Sequence, residues 1–105
     1  MIHDDIRSLL DAPARGDDAP SLDAIEDLLT AGYARALALE AERLRLERRI
    51  AEAAAELGSD GDGTRRTSEL ADLGRLLSAA DGSLSQLRGL LASLRSRAEE
   101  VRTTV

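Results

Sequence analysis

The chain of 105 residues carries a formal net charge of −6 and has room for one domain. It contains no Phe, Trp, Cys or Lys, and Tyr33 is its only aromatic residue. This composition excludes disulfides and thiolate metal sites, and no run of about 18 apolar residues could cross a membrane. Because Leu and Ala must fill the core, we expect an all-α protein built by helix packing.

The first twenty residues divide into two parts. Four apolar residues, Ile2, Ile6, Leu9 and Leu10, share one face at helical spacing and predict a short amphipathic helix. A flexible acidic linker follows, with two Pro and one Gly before residue 21. Residues 1–20 are therefore predicted to be a tethered segment that a protein partner can bind. Their start is acidic, where a signal peptide would be basic, so the cytoplasm is the expected compartment.

The first long helix is predicted from Ser21 to Gly58. Pro20 precedes it, and the Ser21 hydroxyl can accept a hydrogen bond from a free backbone N–H of the first turn. Apolar residues recur at alternating third and fourth places, which is the spacing of a helix that packs along another helix. Arg43 is the only charged residue in that series, and Gly58 is a typical left-handed helix stop.

The last helix shows the same spacing without a gap, since an apolar residue stands at every alternating third and fourth place from Leu70 to Val105, eleven in all. We expect Thr64 or Thr67 to cap its start. The segment Asp81-Gly82-Ser83 would end many helices, but the apolar spacing passes through it unshifted. The sequence therefore predicts one continuous helix.

Two long helices joined by the short turn over residues 58–63 should fold back as an antiparallel hairpin covering 21–105. Residue numbers that face each other should then sum to about 123, which sets Gly32 against Leu91 and Arg43 against Ala80. The predicted hairpin seam consists of Leu22, Ile25, Leu29, Leu39, Leu46, Ile50, Leu70, Leu73, Leu77, Leu84, Leu87, Leu91, Leu94 and Val101.

Charge supports this arrangement. Residues 1–31 contain eight acidic residues and two arginines, whereas residues 65–105 contain seven arginines and five acidic residues. Folding back places the basic end of the last helix beside the acidic start of the first. All 14 basic residues are Arg, a bias typical of high-GC bacterial coding.

Further apolar side chains lie outside the seam at helical spacing. They predict a second buried face and, most simply, a homodimer that forms a four-helix bundle. The alternatives are burial by the N-terminal segment, a different protein partner, or scattered surface leucines without a role. The candidate association face consists of Leu28, Tyr33, Leu37, Leu44, Leu76 and Leu90.

Residues for catalysis or cofactor binding do not assemble in any familiar pattern. His3 is the only histidine, and we expect it to be a solvated terminal residue. A calcium loop counted from Asp60 would need Gly where Arg65 stands and Glu where Ala71 stands. Arginines of the first long helix are interleaved with glutamates, which is typical of a solvated face and not of a nucleic-acid interface. We therefore expect no enzyme, metal, cofactor, small-molecule substrate, nucleic acid or membrane partner.

In its predicted shape the chain resembles the small type VII secretion substrates, which are helical hairpins of similar length. Those proteins carry Trp-x-Gly in the turn and Tyr-x-x-x-acid near the C-terminus. The turn here begins Gly58-Ser59-Asp60-Gly61 without Trp, and residues 99–105 contain no Tyr. The likeness in shape implies an alternative to the leading interpretation of a self-associating interaction module. In that alternative the chain is a secreted or chaperone-type hairpin that requires a distinct partner.

Overall fold

Three α-helices account for most of the chain in a computed structural model that describes residues 1–57 and 63–104. Within those residues the elements are α1 (Ile2–Asp11), α2 (Leu22–Glu56) and α3 (Gly63–Thr103), with no strand. The all-α prediction is therefore confirmed. Of the predicted turn over residues 58–63, residues 58–62 lie outside the described residues, as do the helix stop at Gly58 and the last apolar residue, Val105; Gly63 already belongs to α3.

The start of α2 is fixed by Ser21, as predicted. The backbone N–H of Ala24 donates to Ser21 Oγ at 3.1 Å, and that of Ile25 donates to the Ser21 carbonyl at 3.1 Å. These bonds satisfy donors that have no partner inside the helix. Asp23 in the first turn adds negative charge where the helix dipole favours it.

The start of α3 differs from the prediction. The helix already begins at Gly63, so both Thr64 and Thr67 lie inside it and neither caps it. The Thr67 hydroxyl donates to the Gly63 carbonyl at 2.7 Å. Inside a helix a threonine hydroxyl bonds back to the carbonyl four residues earlier, which competes with the capping role.

The prediction of an uninterrupted last helix is confirmed, because α3 passes through Asp81, Gly82 and Ser83. A Cβ atom at Gly82 would meet nothing within 4 Å. Gly82 therefore lies in an exposed part of the helix, where neither a turn nor a close contact requires a glycine.

The chain is divided into two compact units. Unit 1 contains residues 1–37 and the segment from Ser85 onward, and unit 2 contains Ala38–Leu84. Each has its own buried apolar side chains, and burial of a Leu or Ile stabilises the fold by roughly 1.5–3 kcal/mol. In unit 1 the buried residues are Ile6, Ile25, Ala36, Leu87, Leu91, Leu94 and Ala98. In unit 2 they are Leu39, Leu46, Ala53, Leu73, Ala80 and Leu84.

Candidate interaction surfaces

The N-terminal helix α1 is anchored in unit 1 through Ile6. This side chain is fully buried, and its Cδ1 atom lies near Gly32 of α2 and Leu91 of α3. A Cβ atom on Gly32 would lie 2.5 Å from Leu91 Cδ2 and 3.5 Å from Ile6 Cδ1. The space that a side chain on Gly32 would fill is therefore occupied by the side chains of Leu91 and Ile6. The three helices pack densely at this point because Gly32 has no side chain.

Arg97 of α3 holds the other end of α1. Its guanidinium donates to the Leu10 carbonyl at 2.9 Å and to the Ala12 carbonyl at 3.4 Å. The last carbonyls of a helix lack partners within the helix and carry partial negative charge, so a cation stabilises them. The sequence predicts a basic end of the last helix but not these partners of Arg97, because carbonyl acceptors leave no signal in the side-chain pattern.

His3 is placed differently from the expectation. It lies within α1 and is half-buried, whereas a solvated terminal residue was expected. Ile2 is half-buried as well, but Asp4 and Asp5 of the same turn are exposed, so the first turn of α1 is covered on one side only.

The predicted meeting of the basic and acidic segments is confirmed within unit 1. Arg102 near the end of α3 contacts Glu26 in α2 at 3.0 Å and Glu99 at 3.3 Å. The hydrogen bond to Glu26, with smaller contributions from the charge of Glu26 and from Glu99, raises the pKa of Arg102 above its usual value. All three side chains are about half exposed or more, so the pair orients the helices more than it stabilises them.

Arg43 of unit 2 is partnered by two acidic residues. Its Nε lies 3.2 Å from Glu47 of the same helix and 3.3 Å from Asp81 of α3. The prediction gave Arg43 space opposite Ala80 for its stem to reach water. Asp81, which sequence analysis treated only as part of a possible helix break, supplies the interhelical partner.

A second interhelical ion pair of unit 2 joins α2 to the start of α3. Arg66 lies 2.7 Å from Glu56 and 3.2 Å from Glu69. The Arg66–Glu56 pair joins the end of α2 to the start of α3, and the Arg43–Asp81 pair joins the two helices farther from those ends. Each exposed pair contributes on the order of 0.2–1 kcal/mol.

The predicted seam residues that the structure describes are all buried or half-buried. The buried ones are Ile25, Leu39, Leu46, Leu73, Leu84, Leu87, Leu91 and Leu94. The half-buried ones are Leu22, Leu29, Ile50, Leu70, Leu77 and Val101. Gly32 and Leu91, which the predicted register pairs, are in contact within unit 1.

The six residues of the candidate association face fall into two groups. Leu28 and Leu90 are half-buried. Leu90 stands one heptad before Arg97, so it lies on the same stripe of α3 as the residue that binds the end of α1. The other four are exposed: Tyr33 by 42%, Leu37 by 66%, Leu44 by 53% and Leu76 by 53%.

Shallow depressions mark the surface of each unit. One in unit 1 is lined by Ala14, Arg15, Val101 and Thr104 among others. One in unit 2 includes Leu76 together with Arg49, Arg65 and Arg66. Neither contains a set of buried converging polar side chains, and in the part of the chain that the structure describes no three His, Asp or Glu residues gather as metal ligands.

No described helix is both long enough and apolar enough to traverse a lipid bilayer. Comparisons of the chain with protein-family models, with curated proteins and with solved structures give no match. The exposed leucines and the docking of α1 are therefore the structural features that bear on a role.

Proposed function

We propose that this protein is a non-enzymatic interaction module: an antiparallel helical hairpin that pairs with a second copy to form a four-helix bundle. The observation that carries the proposal is the exposure of Leu37 and Leu44 on α2, a helix that also contributes the buried Ile25 to unit 1 and the buried Leu39 and Leu46 to unit 2. Large aliphatic side chains exposed at heptad spacing along a helix are typical of a protein-binding face.

The antiparallel hairpin is supported by contacts found within each unit. In unit 1, residue 26 contacts residue 102 and residue 32 contacts residue 91. In unit 2, residue 43 contacts residue 81 and residue 56 contacts residue 66. In both cases the number on α3 falls as the number on α2 rises, which is the order expected of antiparallel helices.

An antiparallel hairpin would place four of the leucines outside the seam on two sides. On α2, Leu37 and Leu44 come directly after Ala36 and Arg43, which belong to the series of seam positions. On α3, Leu76 and Leu90 come directly before the seam residues Leu77 and Leu91. In an antiparallel helix pair those flanking positions lie on opposite sides. Since Leu90 lies on the same stripe of α3 as the residue that binds the end of α1, we assign self-association to the side of Leu37 and Leu44.

A protein partner of residues 1–20 would bind the polar side of α1. The apolar side of α1 is occupied, because Ile6 is fully buried in unit 1. Its exposed side carries Asp4, Asp5 and Asp11. A protein that binds this segment would therefore need a basic surface, and we treat that role as secondary to self-association.

Size-exclusion chromatography with light scattering tests the proposal directly. A dimer should have a mass of about 22 kDa, twice the 11.2 kDa of one chain. A folded 11.2 kDa monomer at all concentrations would overturn self-association. A largely unfolded chain that gains helix only with another protein would support the distinct-partner alternative instead.

A further inference from the structure

The outward stripe of α2 in unit 2 has a regular composition. Glu40 and Ala41 stand four and three residues before Leu44, and Arg48 and Ala51 follow it at spacings of four and three, which places all five along one side of the helix. Leu44 is 53% exposed, Ala41, Arg48 and Ala51 are exposed, and Glu40 is half-buried. Small alanines beside a single leucine allow another helix to approach closely.

We propose that this stripe pairs with the same stripe of a second copy, antiparallel to it, about a two-fold axis that passes at Leu44. The inference rests on the proposed self-association and specifies its interface. In such an isologous contact every residue meets the partner residue whose number, added to its own, gives the same sum. Leu44 then packs against Leu44 of the second copy.

Charge complementarity selects the second copy and this register. Glu40 stands four residues before Leu44 and Arg48 stands four residues after it. A two-fold axis at Leu44 therefore sets each Glu40 carboxylate opposite an Arg48 guanidinium, giving two ion pairs. A parallel arrangement would instead oppose like charges at both positions.

Side-chain size favours the same register. Leu37, one heptad before Leu44, falls opposite Ala51 of the second copy, so a large residue meets a small one. A register shifted by one heptad would pair Leu37 with Leu44, but its axis would pass between Glu40 and Ala41. The two Glu40 carboxylates would then approach each other, and both Arg48 pairs would be lost.

Cysteine substitution gives a sharp test, because the chain contains no cysteine. Leu44→Cys should form an intermolecular disulfide when oxidised with copper phenanthroline, since the two Cα atoms meet at the axis. Ala51→Cys is the matched control on the same stripe. Its two copies would stand about 21 Å apart along the helices, which is too far for a disulfide.

Charge exchange gives an independent test. Glu40→Arg or Arg48→Glu alone should weaken the dimer about tenfold, because each change removes two pairs and adds repulsion. The double variant Glu40→Arg with Arg48→Glu should restore the original dissociation constant, measured by sedimentation equilibrium. Circular dichroism should show unchanged helix content in all three variants.

The outcomes separate this interface from self-association itself. Suppose that the unmodified chain is a dimer. The two-fold axis at Leu44 is then wrong if Ala51→Cys cross-links as readily as Leu44→Cys, or if the double charge variant still dimerises more weakly than the unmodified chain. Self-association through another register or face would then stand. If the unmodified chain is a monomer at every concentration, both proposals fail.

Discussion

Gly32 and Leu91 are packed so closely that a methyl group added to Gly32 would overlap the Leu91 side chain. Replacing a helical Gly by Ala normally stabilises a helix by about 1 kcal/mol. Overpacking a dense core costs about 1–3 kcal/mol, and Leu91 and Ile6 are both buried with little room to move. We therefore expect Gly32→Ala to lower the free energy of unfolding by about 1 kcal/mol, as measured by urea denaturation.

Gly89→Ala is the matched control for this prediction. Gly89 lies in α3 of the same unit, and a Cβ atom there would meet nothing within 4 Å. The substitution should raise stability by about 0.5–1 kcal/mol through helix propensity alone. Equal stabilisation by both substitutions would show that Gly32 is not a packing position.

Arg97→Ala should release the C-terminal end of α1. The substitution removes both hydrogen bonds to the carbonyls of Leu10 and Ala12 and should cost about 1 kcal/mol. Hydrogen exchange of the α1 backbone amides should become faster, while that of α2 changes little. Arg95→Ala, on an exposed residue of the same helix, should leave exchange in α1 unchanged.

Leu84→Asp and Leu44→Asp should have different consequences. Leu84 is 1% exposed, so an aspartate there would bury a charge without a partner and should unfold the chain. Leu44 is 53% exposed, so the same change should dissociate the dimer and leave helix content high. Circular dichroism and light scattering measure the two effects. Equal loss of helix in both variants would argue against separate core and association faces.

Gly82→Ala should stabilise the protein by about 0.5–1 kcal/mol, because Gly82 is helical and open to solvent. Thermal unfolding provides the measurement. A glycine that ended a helix in the left-handed conformation would respond in the opposite direction. A lower melting temperature for Gly82→Ala would therefore contradict the continuous α3 helix.

The helices could be predicted from sequence because their determinants are local and repeated. Apolar spacing located α2 and α3, and a single Ser21 side chain located the start of α2 to within one residue. The cap of α3 was mispredicted, because the side chain of Thr67 can either accept from the backbone or donate to it, and the sequence does not say which.

The contacts of α1 could not be predicted in the same way. Amphipathic spacing indicated a helix around Ile6, but not what that helix packs against. The answer depends on the absence of a side chain at Gly32 and on the reach of Arg97 to backbone carbonyls. Neither feature repeats along the chain, so periodicity carries no information about them.

The Arg97–Leu10 contact has a consequence for the order of events during synthesis. The two residues are 87 positions apart, so Leu10 leaves the ribosome long before Arg97 is made. Until then α1, a ten-residue helix, lacks Leu91 and Arg97 and has only α2 to pack against, and helices of that length are marginal in water on their own. Its docking is therefore a late step of folding, and the side chain of Ile6 stays available to chaperones or to other nascent chains until that step is complete.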